Sequence, residues 1–120
     1  MKVKVRLKLE EEAKGGITRE PRRVFIGEII PFPKDFPPAM EKEFIHIRGK
    51  HLLLERHQAN IETLEDPVLQ EYLIPIPRID WITVLPEDLD LSKCKYQVIG
   101  GRLICSTTGK AVSLKETGET

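Results

Sequence analysis

The first nine residues alternate between charged and apolar side chains, which is the clearest pattern in the chain. The apolar set on one side is Val3, Val5, Leu7 and Leu9, and the basic set on the other side is Lys2, Lys4, Arg6 and Lys8. A period of two is typical of a β-strand with one buried face. The pattern therefore predicts a strand over residues 2–9 whose apolar side faces the core and whose basic side faces solvent.

Two further segments have the pattern of hairpins. Residues 43–56 carry Gly49-Lys50 at their centre, which suits a type II′ turn, and residues 96–105 carry Gly100-Gly101, which suits a type I′ turn. In the first register the apolar face consists of Ile45, Ile47, Leu52 and Leu54. The opposite face then carries Phe44, His46, Arg48 and His51 together with Leu53 and Glu55.

The remaining segments predict short elements. Residues 22–30 read as a strand with Gly27 as a candidate bulge, and residues 79–85 read as a strand that places Trp81 in the core. Asp66-Pro67 combines an N-cap with proline at the first helical position, which predicts a short helix that ends near Leu73. Residues 31–38 contain four prolines and form a stiff loop, whereas residues 111–114 favour a short strand.

These elements indicate a mainly β protein, with an α+β arrangement as the other option. A chain of 120 residues amounts to about one domain. We expect a single β-rich domain over residues 1–114, with six to seven short strands and one short helix, followed by a flexible tail over residues 115–120. A small β-barrel is favoured over a two-layer sheet because closure removes exposed edge strands.

The net charge of the chain says little about its function, whereas the distribution of charge along the chain says more. The 19 basic and 19 acidic residues cancel, which excludes a generally basic nucleic-acid coat. Residues 1–60 hold 13 basic and 9 acidic groups, a net charge of +4, and residues 61–120 hold 6 and 10, a net charge of −4. A local basic surface in the N-terminal half and a head-to-tail association between copies are both compatible with this distribution.

Composition also suggests where the protein works. Amide side chains are scarce, whereas Glu, Lys and Ile are plentiful and proline lies in connections, which together indicate a thermophilic source. There is no apolar run of membrane-spanning length and no secretory signal, so we expect a cytoplasmic protein with no membrane partner.

Candidate chemistry concentrates in the first strand and the first hairpin. Phe44 offers a stacking surface for a base, and cations beside it could contact phosphate. The candidate residues for binding nucleic acid or a protein partner are Lys4, Arg6, Phe44, His46, Arg48, Lys50 and His51. His46 and His51 share a face in the predicted hairpin and could form a metal centre. This is the least favoured alternative, because their spacing matches no closed zinc signature.

Three functions follow in order of preference. The first is a non-enzymatic interaction module, alone or as a subunit of an assembly, whose partner is another protein or a second copy. The second is a nucleic-acid-binding β-barrel that uses the basic and aromatic hairpin face. The third is a metal-dependent enzyme centred on the hairpin histidines. No nucleophile–base–acid set is present, so the sequence favours a protein without catalytic residues and without a cofactor.

Overall fold

The protein is mainly β. The computed structural model describes residues 1–9, 22–57, 60–65, 68–90, 95–99, 102–105 and 112–115. A six-stranded sheet contains β1 (Lys2–Leu7), β2 (Arg22–Ile29), β3 (Phe44–His57), β4 (Asn60–Glu65), β5 (Gln70–Pro75) and β6 (Ile79–Val84). A three-stranded sheet contains β7 (Tyr96–Ile99), β8 (Arg102–Cys105) and β9 (Val112–Lys115).

The larger sheet is antiparallel throughout, and its long strand β3 pairs with three other strands. The order is β4-β3-β2-β1-β6, and β5 joins β3 on the same side as β4. β5 pairs with the first half of β3, from Phe44 to Gly49, and β4 pairs with the second half, from Leu52 to His57. β6 is consequently an edge strand, whose only neighbour among the described strands is β1.

The predicted turn at Gly49-Lys50 is wrong, because β3 continues through both residues. The β2–β3 ladder runs without interruption from Arg22↔Leu54 to Ile29↔Ile47, and it places Gly27 directly opposite Gly49. A Cβ atom on Gly49 would overlap with the Ile26 carbonyl oxygen and with the Gly27 Cα. The glycines therefore allow a close approach of two backbones. Gly27 forms part of this regular pairing and is not a bulge.

The predicted helix is also wrong over the residues that can be tested. Residues 66–67 lie outside the described ranges, but Gln70–Pro75 is the strand β5, in which Ile74 pairs with Ile45. The cap signal is local, whereas pairing with β3 buries Ile74, and such tertiary contacts commonly override local propensity. The helical segments described are two short 3-10 segments, Pro38–Glu43 and Ile76–Arg78.

Other strand predictions are confirmed. β2 and β6 occupy the predicted segments, and the second hairpin has the predicted register, with Tyr96 opposite Cys105. The residues of its turn, 100–101, lie outside the described ranges, as do residues 116–120 of the predicted tail. β9 contains residues 112–114 of the predicted last strand and extends to Lys115, whereas residue 111 lies outside the described ranges. No helix within the described ranges has the length and apolarity needed to cross a membrane.

Chain connectivity requires the larger sheet to curl. The segment Ile76–Arg78 joins β5 to β6, the strands on opposite sides of the sheet. Pro75 pairs with Phe44, and Ile79 pairs with Leu7, next to the cross-strand row that contains Arg6, Val24 and Leu52.

The two ends of this connection are diagonal corners of the sheet. In a flat sheet they would be separated by at least eight positions along β3 (44 to 52), about 26 Å, and by four strand spacings, about 19 Å, which gives about 32 Å in all. The four residue steps from 75 to 79 reach at most about 14 Å. The sheet must therefore curl until these corners approach each other. β5 and β6 nevertheless do not pair, so the sheet is not closed and the preference for a β-barrel is wrong.

The curl explains where the core lies. The buried cluster on the inner face of the sheet consists of Val3, Val5, Leu7, Phe25, Ile47 and Ile74, with Ile45, Tyr72 and Ile79 packed against it. The outer face also buries apolar residues, including Val24, Ile26 and Leu52. β1 is therefore buried on both faces, and its basic side chains Lys4 and Arg6 do not face solvent as the alternation predicted.

Candidate interaction site

A β-bulge near the start of β6 shapes the most distinctive polar site in the described part of the chain. The register between β1 and β6 shifts between Arg6 and Leu7: Arg6 pairs with Trp81, whereas Leu7 pairs with Ile79. Asp80 is the residue passed over, so both Asp80 and Trp81 lie against Arg6. Bulges of this kind re-aim side chains at sheet edges.

Arg6, which is buried, forms an ion pair with Asp80, which is exposed. One carboxylate oxygen of Asp80, Oδ2, accepts hydrogen bonds from Arg6 Nε at 3.2 Å and from Arg6 Nη2 at 2.9 Å. Arg22 Nη1 lies 3.8 Å from the same oxygen and donates to the Leu7 carbonyl at 3.1 Å. Arg6 itself is buried, so these charge-assisted bonds provide the compensation that a buried guanidinium requires.

Trp81 is the single tryptophan of the chain, and it rests on this ion pair. The Arg6 guanidinium carbon lies 5.1 Å from the centre of the Trp81 ring, within the range of a cation–π contact. The residue nevertheless remains 54% exposed. The prediction that Trp81 belongs to the core is wrong, because the strand that carries it is an edge strand and its outer face is uncovered.

The apolar character of the edge continues beyond Trp81. Ile82 is 45% exposed and Val84 is 64% exposed, on the opposite face of β6 from the tryptophan. Three large apolar side chains thus lie within four positions of one edge strand. We call Trp81, Ile82 and Val84 the β6 edge.

The backbone of the β6 edge offers hydrogen-bonding groups to a further strand. The Leu85 amide donates to the Lys2 carbonyl at 2.8 Å, which makes Lys2 and Leu85 a hydrogen-bonded pair of the antiparallel ladder. Such pairs alternate along the strand, so Thr83 and Trp81 also turn their backbone groups toward β1. The N–H and C=O groups of Ile82 and Val84 therefore point away from β1, toward the side of β6 on which no other described strand lies.

Six of the seven binding residues proposed from the sequence share the outer face of the sheet. They are Lys4, Arg6, Phe44, His46, Arg48 and Lys50. Lys4, Arg6, His46 and Lys50 are buried, Phe44 is half-buried, and only Arg48 is exposed. The predicted grouping is therefore largely found, but most of its members lie beneath the surface.

His51 lies on the other face, because the strand continues where a turn was predicted. It stacks on Phe25 with ring centroids 4.8 Å apart, on the side of the sheet that holds the main core. The prediction that His46 and His51 share a face is thus wrong, and they cannot bind one metal ion together. Within the described ranges no group of three or more His, Cys, Asp or Glu residues is placed to hold a metal.

His46 connects the proline-rich loop to the sheet. Its Nδ1 lies 2.8 Å from the Pro31 carbonyl oxygen, and its Nε2 lies 3.0 Å from Glu71 Oε1. Phe32 stacks on the imidazole at 5.8 Å, and Phe36 in turn stacks on Phe32. Both ring nitrogens and one ring face are thus engaged within the protein, which indicates a structural role for His46.

Comparison with protein-family models, with curated proteins and with solved structures gives no match. The function must therefore be inferred from the geometry of the chain itself.

Proposed function

We propose that the protein is a non-enzymatic interaction module that contacts another macromolecule through the β6 edge, as a subunit of an assembly. The observation that supports this most directly is the exposure of Trp81, Ile82 and Val84 on an edge strand. Soluble proteins usually blunt such edges with charge, proline or a covering segment. An apolar edge with a tryptophan at one end is instead typical of a surface that a partner covers.

The Arg6 contact supports the same proposal. A tryptophan that is free to change rotamer loses conformational entropy when a partner immobilises it. Trp81 is already positioned by Arg6, whose guanidinium is held by the carboxylate of Asp80. The site therefore presents a large apolar surface in one orientation, which is the property of an interface anchor.

Nucleic-acid binding is the second candidate function. The surroundings of Trp81 suit it better than the hairpin residues predicted from the sequence do. The Lys8 amide donates to the Arg78 carbonyl, so these two basic residues continue the β1–β6 ladder just beyond the bulge. Arg6 and Arg22 approach Asp80 at the same end of β6, and of the four basic residues Lys8 is exposed and Arg78 is half-buried. An exposed aromatic ring among cations can stack a base while the cations contact phosphate.

A single crosslinking experiment tests the proposal. A photoreactive phenylalanine analogue is placed at Trp81 in one variant and at Lys34, an exposed residue of the proline-rich loop, in a control variant. Irradiation of the native cells should give a discrete adduct from position 81 and none from position 34. Digestion of the adduct with protease or nuclease then shows whether the partner is protein or nucleic acid.

The outcomes separate the candidates. A protein adduct supports the interaction module, and a nuclease-sensitive adduct supports nucleic-acid binding. If position 81 gives no adduct, or gives the same adducts as position 34, the β6 edge is not the interaction surface and the proposal fails.

A further inference from the structure

We propose that the occupant of the β6 edge is a second copy of this chain, paired antiparallel through β6 about a two-fold axis. This inference rests on the proposed function and names its partner. In this arrangement the two copies of Thr83 face each other at the axis, and Ile82 of each copy lies opposite Val84 of the other. The two curled sheets would then join into one continuous sheet.

The backbone groups fit this register. Ile82 and Val84 turn their N–H and C=O groups away from β1, as the Leu85–Lys2 bond requires of the alternating ladder. Antiparallel pairing of Ile82 with Val84, repeated by the two-fold axis, satisfies those groups in both copies. A strand addition of this kind derives its affinity from main-chain hydrogen bonds.

The side chains fit a self-complementary interface. The pairs Ile82–Val84 would cover apolar surface that is about half exposed in the single chain. Thr83 opposite Thr83 is a favourable cross-strand pair at the axis. No charged side chain would be placed opposite one of like charge along residues 81–85.

Charge complementarity selects a second copy over an unrelated apolar strand. Lys8 and Arg78 lie at the start of β6, whereas Glu87 and Asp88 follow its end and are exposed. In an antiparallel pair the start of β6 in one copy lies beside the end of β6 in the other. Antiparallel pairing thus brings the basic end of each copy to the acidic end of the other, in agreement with the opposite net charges of the two halves of the chain.

Sedimentation over a concentration series tests the inference on the full chain. The native protein should convert from a monomer to a dimer as concentration rises. Ile82→Lys places a charge at the centre of the interface and should raise the dimer dissociation constant at least about tenfold. Val68→Lys changes an exposed valine outside the edge and should leave the dissociation constant unchanged.

A charge exchange tests the register without disturbing the apolar edge. Lys8→Glu alone and Asp88→Lys alone should each weaken the dimer by about three- to tenfold, and the double variant should recover most of the loss. Such a recovery is expected only if the two ends meet across the interface. Circular dichroism of each variant checks that it is folded.

The failures of the two proposals are distinguishable. If the native chain stays monomeric at every concentration while position 81 crosslinks to a different macromolecule, the self-association fails and the interaction module stands. A dimer that is unaffected by Ile82→Lys, or a double charge variant that is no tighter than the single variants, also overturns the inference. A monomer that gives no adduct at position 81 removes both proposals.

Discussion

At the scale of single residues, Arg6 shows how a buried charge can serve a surface. Burial of a guanidinium costs free energy unless its donors find acceptors. Here Asp80 accepts from two of its nitrogens, and the Trp81 ring lies 5.1 Å from its carbon. The exposed tryptophan is therefore coupled to a residue that solvent does not reach.

This coupling predicts a distinct response to Arg6→Met. Methionine fills much of the volume but removes both the hydrogen bonds to Asp80 and the cation beneath the indole. The unfolding free energy should fall by about 1–2 kcal/mol, the range for losing charge-assisted bonds at a partly exposed partner. Because Trp81 is the only tryptophan, acrylamide quenching of its fluorescence should also increase.

Arg48→Met is the matched control, since Arg48 lies on the same face but is exposed. Its stability should change by less than about 0.5 kcal/mol and its quenching should stay at the native value. Quenching of the Arg6 variant that equals the native value would show that Arg6 does not position the indole.

At the scale of elements, the sequence was informative where the signal was local. The period of two located β1, and Gly100-Gly101 between apolar runs located the β7–β8 hairpin with its register. Gly49-Lys50 has the same local character, yet the chain passes straight through it. Whether the chain turns here depends on a residue distant in sequence, Gly27, whose lack of a side chain lets β2 lie close to β3. The local sequence around Gly49 does not show that contact.

The exposure of the β6 edge cannot be predicted from the sequence for a related reason. The segment IDWITV predicts a strand correctly, but whether a strand is central or an edge depends on strand order. The sequence predicts Trp81 in the core because buried strands and apolar edge strands have similar compositions. The bulge at Asp80, which brings the carboxylate and the indole to Arg6, likewise depends on the pairing of β6 with β1.

At the scale of the whole molecule, the short link Ile76–Arg78 determines the shape of the sheet. By joining diagonal corners it brings the inner face onto itself, so that side chains from β1, β2, β3 and β5 share one core. β6 takes part in this closure only at its start, where Ile79 packs against the core. The same connection that creates the core thus leaves most of the remaining residues of β6 exposed.

Two valines that face each other across β1 and β6 test this arrangement. Val3 and Val84 are cross-strand partners and point to the same face, yet Val3 is 0% exposed and Val84 is 64% exposed. Val3 lies in a strand with neighbours on both sides, whereas Val84 lies in an edge strand. The curl also surrounds Val3 with the core while Val84 remains beyond it, so Val3→Ala should cost about 2 kcal/mol of unfolding free energy and Val84→Ala less than about 0.5. Urea denaturation at a concentration below the dimer range measures both values, and equal losses would contradict the curled sheet. At dimer concentrations Val84→Ala should become the more costly change for assembly, because its partner there is Ile82 of the second copy.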